Sequence, residues 1–219
     1  MNDLARFFSA AQHGGSPVDL LLGFFLLGLV PLLAVAVTSF TRIVVVLGLL
    51  RSALGAPSLP PNVVLASLAM MLTAAVMAPT FARINDGAVR PYLAHRIGAG
   101  QALQRGAEPL RRFMLRQTRR SDLATFARIA RARVEAPDAA PLAVIAPAFM
   151  VGELRAAFAM GFALALPFAV IDIVVAAVMM SLGMFMVSPA AISLPLKLLV
   201  FVAADGWTLV CGALVASFH

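Results

Sequence analysis

Four charged side chains, Arg42, Asp172, Lys197 and Asp205, are set inside otherwise apolar stretches of this chain. At the centre of a membrane helix each would cost about 2.5 to 3.5 kcal/mol on the most lenient insertion scale, so each needs a partner or water. Two chemistries follow: a proton or ion path with Asp172 as its titrating group, or buried pairing that fixes the geometry of helices and subunits. Pairing is the expectation for all four, because a proton relay normally shows several acids or histidines within the spans, and His13, His95 and His219 all lie outside them. A different feature is the run Met184-Phe185-Met186, preceded by Met179 and Met180 and bracketed by Gly183 and Ser188-Pro189. Methionine is unbranched and polarizable, so such a group serves either as core filler or as a flexible apolar loop that closes an irregular gap.

Catalytic and cofactor chemistry is not written here. The sequence has no phosphate-binding loop, no histidine pair at metal spacing and no nucleophile elbow, and Gly98-Ala99-Gly100 lacks the third glycine of a dinucleotide fingerprint. Cys211 is the only cysteine, which excludes a disulfide framework and a cysteine metal site. The expectation is a protein with no enzymatic activity, no metal and no cofactor.

The elements that must hold these residues are apolar helices. Of 219 residues 62% are hydrophobic, and the mean hydropathy of +0.96 lies far outside soluble composition. Between Arg155 and Lys197 the only charge is Asp172, and residues 173 to 196 supply the roughly 20 apolar residues a helix needs to cross a bilayer. The excess charge is confined to one block: from Arg83 to Asp138 there are twelve arginines against five acids, an excess equal to the whole formal charge of +7. With few aromatics and no nucleic-acid module, that block reads as a solvated or partner-facing basic region rather than a nucleic-acid binder. Residues 1–19 hold no apolar core of the length a cleavable signal requires.

The predicted organisation is all-α and membrane-associated: two long kinked helical hairpins flanking a small basic helical insert. Residues 1–19 form an N-terminal segment. Residues 20–83 form the first hairpin, kinked by Pro31, turned by the Gly55 to Pro61 stretch, capped again by Asn62 and ended near Pro79 and Arg83. Residues 84–141 form the insert, with one helix opened by Pro109 and carrying Leu110, Phe113, Met114 and Gln117 on one side, and a second capped by Ser121. Residues 142–219 form the second hairpin: a segment from Ala156 to Val187 bent at Pro167, the methionine-containing loop, and a segment from Ile192 to Phe218.

Three ordered motifs carry a family resemblance. TSFTRIVVVLGLLRSALG followed by PPN (residues 38–62), PLRRFMLRQTRRSDLATF (residues 109–126) and the stretch from Pro147 to Trp207, with LPFAVIDIVVA, MMSLGMFMVSP, ISLPLKLLVF and DGW, resemble FliP and its injectisome counterpart SctR. The resemblance covers nearly all of the chain after Leu20. It implies a core pore subunit of the type III protein-export apparatus that admits unfolded substrates, a pentameric ring of copies with FliQ-like and FliR-like subunits, and FlhB-like and FlhA-like export components nearby. It also implies a bacterial inner-membrane location at a flagellar basal body or injectisome base, displaced toward the periplasm, with the basic insert on the periplasmic side. Carried over, the family's methionine-rich gasket falls on Met184, Phe185 and Met186, with phenylalanine where the middle methionine usually stands, and Asp172, Lys197 and Asp205 fall in the packed hairpin. The insert looks flagellar; the injectisome form is the alternative. Two readings of other classes remain: a proton-coupled secondary transporter using Asp172, and a membrane-tethered adaptor whose basic insert docks acidic partners.

Overall fold

A computed structural model describes residues 21, 25, 28, 35–132 and 136–218. The N-terminal segment and the Pro31 kink lie outside the described residues. Among those described the chain is helical throughout and contains no strand. In chain order the helices are α1 (Phe40–Ala53), α2 (Asn62–Ile84), α3 (Arg90–Leu93), α4 (Ala99–Gln117), α5 (Arg120–Ile129), α6 (Leu142–Ser181), α7 (Pro189–Ala203) and α8 (Gly206–Ala216). A π-helical turn, Asn85–Val89, joins α2 to α3, and a 3-10 turn, Pro137–Ala139, precedes α6. The stretch Asn62–Leu93 and helix α6 are each long and apolar enough to cross a membrane, and α7 with α8 makes a third candidate broken by a 65° bend.

Two compact units divide the chain. The first, Ser39–Val76 with Glu153–His219, is built around α1. Ile43, Val46, Leu47 and Leu50 recur at the spacing of one helical face and are all buried, joined by Leu65 and Ala69 of α2, Ala157 and Phe168 of α6, Phe201 of α7 and Val210 and Leu214 of α8. Helix α1 ends because Gly55 takes a positive φ of 78° and returns its N–H to the Ser52 carbonyl. Asn62 does not act as the anticipated cap: it is the first helical residue, and its side-chain carbonyl accepts a 2.6 Å hydrogen bond from Arg51, closing the turn of the first hairpin. At Gly161 a side chain would meet the Leu49 side chain at 2.3 Å, so α6 leaves room there only for the Leu49 side chain of α1.

The second unit, described over Met77–Gly152, contains the basic insert. Helix α4 starts at Ala99 and runs through Pro109, which lies in its interior rather than opening it. The helix tolerates the missing N–H because its buried face, Phe113 and Met114, continues across it and Phe113 meets Phe149 edge-on at 5.8 Å. Ser121 is not a cap either; Arg119 holds that position with extended backbone and no side-chain hydrogen bond. The buried group of the first turn is Asp122, whose carboxylate sits where a side chain at Gly152 would come within 3.9 Å. Arg111 ties α4 to the following connection by donating to the carbonyls of Asp138 and Ala140.

Helix ends differ from those expected of prolines. Helix α2 passes Pro79 and Arg83 to reach Ile84, and α6 spans 40 residues through Pro147 and Pro167, starting at Leu142 and stopping at Ser181. One proline removes a single donor, which packing on the remaining faces outweighs. At 1.5 Å per residue α6 is about 60 Å long, twice the hydrocarbon thickness of a bilayer. The expected last segment is two helices, because Asp205 adopts left-handed backbone (φ 49°, ψ 49°) and breaks the run.

Gly206 is required at that break. A side chain there would lie 2.2 Å from the Phe201 ring, which is itself held between Phe168 (6.3 Å) and Trp207 (5.3 Å, edge-on). Gly206→Ala should therefore destabilise the detergent-solubilised chain by about 1 to 3 kcal/mol. Gly212→Ala, in the same helix with nothing within 4 Å, should leave stability unchanged or raise it slightly. Thermal midpoints of the two variants check the contrast; equal loss in both would remove Phe201 as the cause.

Candidate functional site

Two charge clusters and one apolar loop stand in the first unit. In the first cluster Arg42, on the face of α1 that begins the core, is buried and reaches Glu153 of α6, which has no exposed surface. The guanidinium grips both carboxylate oxygens, at 2.9 Å through Nε and 2.5 Å through Nη2. Its remaining nitrogen, Nη1, donates at 3.1 Å to the Ser217 carbonyl and hydroxyl, and the Phe218 ring centroid lies 3.9 Å from its central carbon. A fork-to-fork contact of this kind needs arginine, because a lysine ammonium cannot meet both oxygens and the two chain-end acceptors at once. Glu153 was absent from the residues singled out by sequence. Its signal was present: Arg42 needed a partner, and Glu153 is one of the few acids at the edge of an apolar run.

In the second cluster Lys197 of α7 is buried and pairs with Asp172 of α6 at 2.5 Å. The same ammonium donates at 3.2 Å to the carbonyl of Ala53, the last residue of α1, where the negative end of that helix favours a cation. Three elements thus meet on one amine. The Asp172 side chain keeps 48% of its surface exposed in the single chain, so the pair is open to solvent or to a neighbour on one side. Asp205 does not join it. It sits exposed at the α7–α8 break, where its backbone conformation sets the bend.

The methionine-containing loop is a Schellman ending. Gly183, at φ 74°, donates to the Met180 carbonyl, and Met184 donates to the Met179 carbonyl at 3.0 Å, which stops α6 and turns the chain out. Met179 is buried and Met180 exposed. Beyond the turn Met184 is 39%, Phe185 79% and Met186 99% exposed. An isolated chain thus presents its most apolar turn to whatever surrounds it. Among the described residues no cluster of three or more metal-ligating side chains occurs.

Paired charges binding α1, α6 and α7, and helices long enough and apolar enough to cross a bilayer, define an all-helical, membrane-associated protein. The model of the FliP family matches residues 24–214, and the chain belongs to that family. It is similar to the flagellar biosynthetic protein FliP of Pectobacterium carotovorum subsp. carotovorum, 51% identical over 86% of this chain and 74% of the relative. That of Caulobacter vibrioides is 52% identical over 88% of this chain and 73% of the relative. That of Bacillus subtilis is 42% identical over the whole of both.

The clusters differ in burial, and the difference should be measurable. Glu153→Gln leaves a buried guanidinium without its counter-charge and should cost about 3 to 5 kcal/mol, whereas Arg42→Met combined with Glu153→Leu should recover most of that loss. Lys197→Met leaves an aspartate that is half in solvent and should cost about 1 kcal/mol. Chemical unfolding of the three variants in one detergent tests the ranking; a double variant as weak as Glu153→Gln alone would rule out the stranded charge.

Proposed function

We propose that the chain is a non-enzymatic pore subunit of the flagellar protein-export gate. Several copies close into a ring with other integral export subunits, and unfolded export substrates pass through the centre. FliP family membership and flagellar relatives support the apparatus. The observation that carries the pore reading is the loop of Met184, Phe185 and Met186, turned outward by Gly183, in which Phe185 and Met186 are left largely uncovered in one chain. An apolar group of this size is stable only against another surface, and copies arranged around an axis would bring the loops together as an apolar constriction. Such a constriction excludes water and ions at rest. Thioether flexibility lets it widen around a passing chain and close behind it, and Phe185 adds a flat apolar face to the seal.

The two charge clusters have a positioning role in this reading. Lys197 and Asp172 tie α6 to α7, the helices that carry the loop on either side, and the open edge of Asp172 faces a neighbouring copy. Asp172 already neutralised by an ammonium at 2.5 Å is better suited to this task than to taking protons from solvent. The assembled ring would lie at the inner membrane, displaced toward the periplasm with the insert on that side.

Replacing Met184 and Met186 together by alanine should raise ion conductance several-fold through a reconstituted gate held open by a stalled substrate. Conductance equal to that of the wild type would defeat the gasket. Native mass measurement of the solubilised particle checks the ring independently, since single copies stable in lipid would instead fit a transporter.

A further inference from the structure

Ion pairs and main-chain hydrogen bonds occupy only some of the insert's arginines. Asp86 pairs with Arg90, Glu108 with Arg112 and Arg111, and Arg111 is held on main-chain carbonyls. Arg105, Arg116, Arg119 and Arg120 are exposed, and among the described residues no carboxylate pairs with them. Positions 105, 112 and 116 fall on one stripe of α4, opposite the side that buries Met114. Every cation in the insert is arginine and none is lysine. A guanidinium fork matches a phosphate diester through two parallel hydrogen bonds, which an ammonium cannot do.

Exposed apolar side chains are interleaved with other arginines of the insert in sequence. Tyr92 and Leu93 lie between Arg90 and Arg96, and Ile129 lies between Arg128 and Arg131, all of them uncovered. A purely aqueous protein surface would not gain from large apolar groups beside arginines. A headgroup layer would, because it offers phosphates to the forks and acyl chains to the apolar groups, and tyrosine favours that boundary. Chain connection places the insert there: the helical stretch Asn62–Leu93 is about 48 Å long at 1.5 Å per residue, longer than the hydrocarbon layer by several turns, so its arginine-bearing end emerges at the surface. A second copy is a poor occupant, since its insert carries the same sign of charge.

We propose that, before ring assembly, the insert lies on the membrane surface and binds anionic phospholipid through Arg105, Arg116, Arg119 and Arg120, with Tyr92, Leu93 and Ile129 entering the headgroup boundary. This goes beyond the export-gate reading and needs only that the flanking helices enter a bilayer. Docking holds the insert of a newly inserted copy in one orientation until assembly.

The test uses the full chain as single copies in nanodiscs of phosphatidylcholine alone or with one third phosphatidylglycerol. Hydrogen exchange of residues 99–131 should slow about tenfold in the anionic discs, and 0.5 M salt should cancel the effect, because screening shortens the reach of each charge to a few ångströms. Replacing Arg105, Arg116, Arg119 and Arg120 by glutamine should abolish the slowing. Replacement by lysine should keep part of it. An unchanged thermal midpoint in the glutamine variant separates lost docking from lost folding; if the variant unfolds, the lipid and salt dependence of the wild type decides alone. Equal exchange in both lipids would overturn the proposal, and so would protection by soluble polyglutamate but not by anionic lipid, which would assign the face to an acidic protein.

Discussion

A buried guanidinium and a buried carboxylate hold this fold. Arg42 and Glu153 are 111 positions apart in the chain, and nothing in the local sequence of either brings them together. Their pairing fixes α1 against α6 at one height and recruits the chain end through Ser217 and Phe218. Apolar packing alone would leave the sliding of smooth helices along one another weakly determined, since leucine against leucine is nearly as good one turn on. A bidentate ion pair has one register, and a one-turn slip would strand two charges away from water. Register around α1 then determines where the Ala53 carbonyl meets Lys197, and through Lys197 where α7 leaves the turn at Ser188.

Seen this way, charge specifies geometry and apolar surface supplies affinity. The core around Ile43, Leu47 and Phe201 excludes water without choosing a register. Arg42 and Lys197 choose it, each by reaching more than one acceptor on separate elements. The proposed apolar constriction would need both properties: a frame stiff enough to keep the loops of several copies at one level, and loops soft enough to yield. Gly183 separates the two, since regular helix ends at Ser181 and, beyond it, Phe185 and Met186 are largely uncovered in the single chain. Tight contact at Gly161 and Gly206 belongs to the frame, where any side chain would collide with Leu49 or Phe201.

Much of this was legible in the linear chain. Apolar run lengths gave helices able to cross a bilayer, the confinement of the excess positive charge to residues 83–138 marked the insert, and of the four charges inside apolar stretches Arg42, Asp172 and Lys197 take the partners expected of them while Asp205 does not. The polar interruptions, not the greasy residues, carried the family resemblance. Misreadings cluster at helix ends. Pro79 and Pro109 are end signals by local preference that packing of the remaining helix faces outweighed, whereas the side chain of Asn62 is taken by Arg51 and Ser121 falls one residue inside its helix.

What sequence alone determined were quantities that depend on composition and spacing: helical class, the lengths of the apolar segments, the position of the charged block and the need of Arg42 and Lys197 for partners. Tertiary structure decided which partners they took, that Glu153 completes the deepest pair, that Asp205 turns the chain instead of pairing, and that Met179 is buried while Met186 stands free. The physical reason is range. Hydrophobic periodicity is written within one helix, whereas a hydrogen bond at 2.5 Å between residues 42 and 153 exists only once every intervening element has been packed.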